Sequence, residues 1–293
     1  MKNKSTIILL ILLGCCFLSV LAVTFFRFFD ADIHLGKRIA VIELNGAIED
    51  SRDIVRQFKK FRDDSSVEAI VFRIDSPGGG ITPSQEIFDI VRKTRAAGKP
   101  VIVSMGSVAA SGGYYVACPA DTIVANPGTI TGSIGVSIQY PNVDKLLEKV
   151  GVKFTTIKSG QFKDALSPFR DMTKQEADYL QSFVMNAYQQ FLTAVAQSRN
   201  IDTADVRPLA DGRVFTGEQA LAYGLVDRLG TYDDAIHVAG RMAGLTGEPS
   251  IVREEKKRSS IFDFVFNDDA AQKIDQLLPE FRLYPVVSYK YGL

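Results

Sequence analysis

Ser111 stands between Ala110 and Gly112 in the stretch S-V-A-A-S-G-G-Y-Y-V-A, residues 107–117, where an apolar strand pattern gives way to a second apolar run. A serine in that place has two readings. It can cap a helix by accepting a backbone N–H, or it can serve as the nucleophile of acyl transfer. The second role also needs a proton acceptor and donors for the oxyanion. The glycines after Ser111 allow a tight turn and a close approach by a substrate backbone. The Gly112 N–H, near the helix start, can face a carbonyl oxygen as it becomes negative.

A second donor is available in D-S-P-G-G-G, Asp75 to Gly80. This stretch ends another strand pattern, at the edge where open parallel sheets bind ligands. Pro77 fixes the approach, and Gly78 offers its N–H with no side chain in the way. Taken alone, the stretch also reads as an ordinary glycine loop. It is not a phosphate loop, because the Lys-Ser/Thr ending is missing.

The base is the selective part. The chain holds only two histidines, His34 and His237. His34 lies just beyond a long apolar run, and His237 falls on a late helix near Asp233 and Asp234, the one place a Ser-His-Asp triad could use. A lysine can replace histidine if its amine is neutral near pH 7. That asks its pKa to fall from about 10.4 by roughly 3, a cost of about 4 kcal/mol that desolvation can supply. Lys163, in K-S-G-Q-F-K-D-A-L-S-P-F, has Phe162, Ala165, Leu166 and Phe169 close in sequence. Asp164 complicates the assignment, because an adjacent carboxylate favours the charged amine. Its side chain must point elsewhere if Lys163 is the base. Spacing alone equally allows a solvated surface lysine.

The elements that would position these residues alternate. R-I-A-V-I-E-L-N-G-A-I, V-E-A-I-V-F-R-I-D and K-P-V-I-V-S-M-G read as buried strands. Asp53–Asp64 and P-S-Q-E-I-F-D-I-V-R-K-T-R-A-A-G have helical spacing, the latter ended by Gly98. Strands alternating with such helices argue for a mostly parallel α/β sheet. V-D-K-L-L-E-K-V-G as a helix, V-K-F-T-T-I-K as a strand and a long amphipathic helix continue the pattern. Two short helices around a brief strand follow, and the regular pattern stops near Gly247. R-E-E-K-K-R-S-S then reads as a solvated charge run, and the apolar and aromatic tail beyond it could pack on a neighbour.

Of 293 residues, 46% are hydrophobic, and Lys plus Arg balance Asp plus Glu at 34 each. The balance gives no field that draws nucleic acid. Residues 1–4 carry Lys2 and Lys4, and Ser5–Phe26 contains no charge. That run is long enough to cross a hydrocarbon core of about 30 Å. It exceeds a secretory h-region and lacks an A-x-A-like cleavage site, so it reads as an uncleaved transmembrane anchor. The positive flank is expected to stay in the cytoplasm. After a linker over residues 27–37, the rest of the chain would lie outside. Cys15 and Cys16 fall in the span, which leaves Cys118 alone as a small buried hydrophobe with no disulfide partner.

D-S-P-G-G-G, S-M-G-S-V-A-A-S-G-G-Y-Y-V-A, A-N-P-G-T-I-T-G-S-I-G-V and S-G-Q-F-K-D-A-L-S-P-F-R-D-M-T together resemble signal peptide peptidase A, of the S49 family of Ser-Lys proteases. The resemblance covers roughly Arg38 to Leu245, with the motifs in the family's order. It implies a ClpP/crotonase-like fold of repeated β-β-α units in a protease domain at residues 38–245, with a tail at 246–293. It makes Ser111 the nucleophile and Lys163 the general base, with Ser133 hydrogen-bonded to the lysine amine. Gly78 and Gly112 become the oxyanion donors, and neither metal nor organic cofactor is implied.

The resemblance is to the short bacterial form, whose subunits form a homo-oligomeric ring and share each site across a boundary. It implies a single-pass inner-membrane protease that degrades remnant signal peptides and other apolar peptides. Such peptides would add as a strand beside the glycine-rich edges. Three alternatives stand beside it: a Ser-Lys protease of the same fold acting on a membrane partner protein, an acyl-CoA enzyme of the crotonase type, and a non-catalytic membrane scaffold.

Overall fold

The computed structural model describes residues 37–254 and the backbone of residues 286–290. The anchor over Ser5–Phe26, His34 and most of the tail lie outside the described residues. Among the described residues no helix is long and apolar enough to cross a membrane.

The described residues open with β1 (Arg38–Asn45), α1 (Arg52–Asp63), β2 (Val67–Ser76) and the short β3 (Gly78–Gly80). It continues through α2 (Ile81–Ala96), β4 (Val101–Ala110), α3 (Gly112–Ala117), β5 (Thr122–Ala125), β6 (Ile130–Gly132) and β7 (Ser137–Gln139). Next come α4 (Asp144–Val150), a 3-10 turn at Gln161–Asp164, the long α5 (Lys174–Arg199), α6 (Thr203–Val206) and a 3-10 turn at Arg207–Leu209. The last of the described elements are β8 (Val214–Thr216), α7 (Gly217–Ala222), β9 (Arg228–Leu229), α8 (Tyr232–Met242), β10 (Ser250–Arg253) and β11 (Val286–Lys290).

The main sheet has the order β10-β1-β2-β4-β5-β9, with every pairing along that path parallel. Strands covered on both faces are apolar along the covered stretch, and the centres of β1, β2 and β4 meet that demand: residues 39–42, 69–72 and 101–103 are all apolar and buried. On one face Ile39, Val41, Ala69, Val71, Ile102 and Val124 pack against Ala235, Ile236, Val238 and Ala239 of α8. On the other, Ile42, Ile70, Phe72, Val103 and Ile123 pack against α1, α2, α3 and α5. There Phe58 meets Phe72 edge to face at 5.1 Å, and Tyr115 meets Phe191 at 5.0 Å. Cys118 is fully buried in this layer, and burial pushes its thiol up to about 12.

Two readings of the chain change. Residues 152–158 form no strand: they run in irregular backbone, with Phe154 and Ile157 exposed. Their β-branched and aromatic residues suit a strand, but no neighbouring segment among the described residues offers a ladder. Conversely, the sheet continues past Gly247, because β10 pairs in parallel with β1.

A second, smaller sheet has the order β3-β11-β7. β11 runs antiparallel to both neighbours, with Ser288 opposite Gly80 on one side and Ser137 on the other. Residues 286–290 thus fill a slot between two strands that lie far apart in sequence.

Candidate active site

β4 delivers Ser111, and its path is set by an irregularity against β2. The register passes from Ile74 opposite Met105 to Ser76 opposite Ala109, so extra residues of β4 face Asp75. The Asp75 carboxylate accepts the Val108 N–H at 3.0 Å. A Cβ on Gly106 would lie 2.7 Å from that carboxyl group, so only glycine fits there. Thr129 donates its hydroxyl to the Gly106 carbonyl at 2.8 Å, and Thr131 donates to Ala109 at 2.7 Å. Asp75, Thr129 and Thr131 are supporting residues that the sequence reading passed over. The closely spaced Thr129 and Thr131 just ahead of Ser133 were the available signal.

Ser111 sits at φ 54°, between β4 and α3. A non-glycine residue in that region costs of order 1–3 kcal/mol and persists where the surroundings enforce it. Here they do. Its N–H donates to the Gly132 carbonyl at 2.8 Å, and its carbonyl accepts from Tyr115 at 2.8 Å. The hydroxyl caps no backbone N–H of α3, so the helix-capping reading of Ser111 is set aside. The residue is only 1% exposed.

Ser133 follows Gly132 and also has positive φ, 50°. Its N–H donates to the Arg213 carbonyl at 2.8 Å. The two strained serines are therefore linked through the carbonyl of the glycine between them.

The oxyanion candidates converge on the same turn. Gly112 begins α3, and among the described residues nothing accepts from its N–H. Gly78, at φ 98°, donates instead to the Ser76 hydroxyl oxygen at 3.1 Å. Ser76 also supports the turn directly, since its carbonyl would lie 2.7 Å from a Cβ at Gly113. Gly79 is held by Ile48, whose N–H donates to the Gly78 carbonyl at 2.9 Å and whose carbonyl accepts from Gly80 at 2.8 Å. Lys290 lies opposite Gly78 in the β11 register, so the slot leads along β3 to the oxyanion candidate. At the other end of β3, a cavity of about 350 Å³ is lined by Gly80, Ile81, Pro83, Phe183 and Ala187, among others.

Lys163 is elsewhere. It is exposed, on the 3-10 turn between α4 and α5, and among the described residues its amine meets no hydrogen-bond or ion-pair partner. The structure thus brings Ser111, Gly112, Gly78 and Ser133 together within one chain and does not bring Lys163 to them. Asp164, the neighbour that complicated the lysine, does point away. Its carboxylate accepts from Lys158 at 2.5 Å and from Arg170 at 2.7 Å. His237 is exposed on α8, paired with Asp233 at 3.3 Å, on the sheet face opposite α3. It takes no part in this site.

A strained, buried serine between a parallel strand and a short helix, with glycine N–H groups around it, is the arrangement of a serine-type protease. Residues 93–246 match the family described as Peptidase family S49, and residues 32–129 match that described as Clp protease. A Synechocystis sp. protein carrying a protease name, slr0021, is 47% identical over 210 residues, which cover 71% of this chain and 76% of that protein. Protease 4 of Salmonella typhi is 39% identical over 72% of this chain, and the chloroplastic serine protease SPPA of Arabidopsis thaliana is 36% identical over 72% of it. The matched part spans about a third of each of these two larger proteins, 35% and 31%. The chain belongs to peptidase family S49.

Proposed function

We propose that this chain is a membrane-anchored serine endopeptidase that uses Ser111 and Lys163 to cut remnant signal peptides and similar apolar segments. The observation that carries the reading is the Ser111 turn, buried, strained and tied to Gly132, with the Gly112 N–H uncommitted among the described residues. In the reaction, neutral Lys163 takes the proton of Ser111 as its oxygen attacks the peptide carbonyl. The Gly78 and Gly112 N–H groups receive the oxyanion. Lys163 then protonates the leaving amine and activates the water that releases the acyl-enzyme. Ser133 holds the lysine amine in place.

Lys163 reaches Ser111 from a neighbouring copy in a ring-shaped homo-oligomer. Support comes from the segment that bears it. Leu146, Val150, Phe154 and Ile157 are 60%, 62%, 53% and 97% exposed in the single chain. So much apolar surface within residues 146–157 calls for a covering partner. The same cover would take the lysine out of water and favour its neutral form. The slot that β11 fills supports strand addition by an extended substrate, since backbone hydrogen bonds supply affinity for any sequence. The uncharged Ser5–Phe26 run supplies the anchor, with the protease domain outside the cytoplasm, where membrane-embedded peptide remnants are within reach.

Subunit mixing tests the reading. Ser111→Ala and Lys163→Ala chains should each be inactive on a peptide substrate, and co-assembly of the two should restore turnover. Restoration is expected only if one chain's serine meets another's lysine. Retained activity in Lys163→Ala would overturn the dyad, and two dead variants that never complement would overturn the shared site.

A further inference from the structure

Asp164 adjoins Lys163, yet its carboxylate is fully engaged on the other side of the turn. Arg170 donates to Asp164 Oδ1 at 2.7 Å and to Oδ2 at 3.1 Å, and Lys158 donates to Oδ1 at 2.5 Å. The same Arg170 donates to both oxygens of Glu176, at 2.6 and 2.9 Å. Glu176 is 1% exposed in the first turn of α5, where it closes a capping box with Thr173. Arg170 therefore fastens the turn that carries Lys163 to the capped start of α5. The charged groups facing Asp164 are Lys158, Arg170 and, through Arg170, Glu176. Two cations meet two carboxylates, so the cluster is neutral within itself. Lys163 is left without a carboxylate within ion-pair distance among the described residues.

This arrangement answers a chemical need of the dyad. A free carboxylate beside the lysine would favour its ammonium form and empty the population that can accept a proton. The Arg170 guanidinium and then Lys158 hold Asp164 well below the usual carboxylate range, which keeps it charged and committed to them. Arg170 first, then the Thr173 N–H, bring Glu176 down to about 2.

We propose that Arg170, with Lys158 and Glu176, is a positioning residue that withholds the Asp164 carboxylate from Lys163 and so keeps the general base able to lose its proton. The inference rests on the Ser111–Lys163 reading and adds a role that family membership does not assign.

The test is the pH dependence of kcat/KM for the full-length assembled protein on a peptide substrate. The variants are Arg170→Gln, Arg170→Lys, Arg170→Gln with Asp164→Asn, and Lys163→Ala. Release of Asp164 in Arg170→Gln should move the rising limb to higher pH by about one unit or more. The rate near pH 7 should then drop about tenfold and recover at alkaline pH. Adding Asp164→Asn should return the limb to its wild-type position, and Arg170→Lys should fall between. Should Arg170→Gln fail to fold, Lys158→Met, which leaves the Arg170–Glu176 pair in place, should give a smaller shift of the same sign. A uniform loss at every pH, with an unmoved limb and no rescue by Asp164→Asn, would reduce Arg170 to a structural brace and overturn the inference. An active Lys163→Ala protein would instead overturn the dyad itself, which separates the two failures.

Discussion

The Ser111 N–H donates to the Gly132 carbonyl at 2.8 Å, so the turn that carries the proposed nucleophile is anchored on the residue just before Ser133. The bond joins the end of β4 to the end of β6 at the point where both chains leave the sheet. Each serine has positive φ, and each is held there by a carbonyl from another segment: Gly132 for Ser111, Arg213 for Ser133. Strain of this kind is sustained by packing, and disturbing Gly132 should release it on both sides.

Gly132→Ala is the corresponding test. The residue has φ 75°, and an added Cβ would lie 2.6 Å from the Phe215 ring. Backbone strain at positive φ alone costs of order 1–3 kcal/mol. The fold should survive with a lowered Tm, while kcat drops by tenfold or more because Ser111 loses its fixed direction. A variant with wild-type kcat would show that the carbonyl of Gly132 does not aim the nucleophile.

Gly79 makes a sharper demand on space. An added Cβ would lie 2.2 Å from the Ile48 carbonyl oxygen, and that atom is backbone and cannot swing aside. Gly79→Ala should break the Ile48 hydrogen bonds to Gly78 and Gly80 and displace the oxyanion candidate with them. Loss of one oxyanion donor typically costs about 10²–10³ in rate. Gly128→Ala, where a Cβ meets nothing within 4 Å, is the control and should behave as wild type. Equal activity in the two variants would remove Gly78 from the site.

Acid should weaken the cluster of Asp164, Arg170 and Glu176. Glu176 and Asp164 both have folded pKa values below their ordinary ones, so their contribution is complete above the unfolded values, about 3.9–4.3. It is lost as pH falls through the folded values, about 2 for Glu176 and lower still for Asp164. Melting curves at pH 6 and pH 3 should therefore show a Tm decrease in wild type. Glu176→Gln, already without the ion pair, should start lower and change less. A Glu176→Gln protein whose Tm follows pH as steeply as wild type would show that other groups carry the acid sensitivity.

Much of the sheet and of the serine turn was legible because both are local. Continuous apolar strands declare burial on two faces, and A-S-G-G after such a strand declares a turn. The direction of Asp164 was not legible, since it depends on Arg170 six positions on and on Glu176 in another element. Residues 152–158 misled for the opposite reason. β-branched and aromatic residues state that a segment could pair, and whether a partner strand exists is a property of the assembled fold. Ser133 was marked only through family resemblance, because nothing local distinguishes it from an ordinary turn serine.

The slot occupied by β11 yields the last expectation. Backbone pairing from Val286 to Lys290 uses the same edges, Gly78–Gly80 and Ser137–Gln139, that an extended substrate would need under strand addition. A tethered strand competes at an effective concentration that can reach about the mM range, whereas a free peptide must displace it. Deleting residues 286–293 should therefore lower the apparent KM for an added peptide and leave kcat nearly unchanged, because the deletion removes no group of the acyl-transfer machinery. A synthetic peptide spanning residues 284–293 should inhibit the truncated protein in competition with substrate and have little effect on the intact chain. Steady-state kinetics on the two proteins decide the matter. An unchanged KM, or inhibition that is not competitive, would place substrate binding away from the β3–β7 slot.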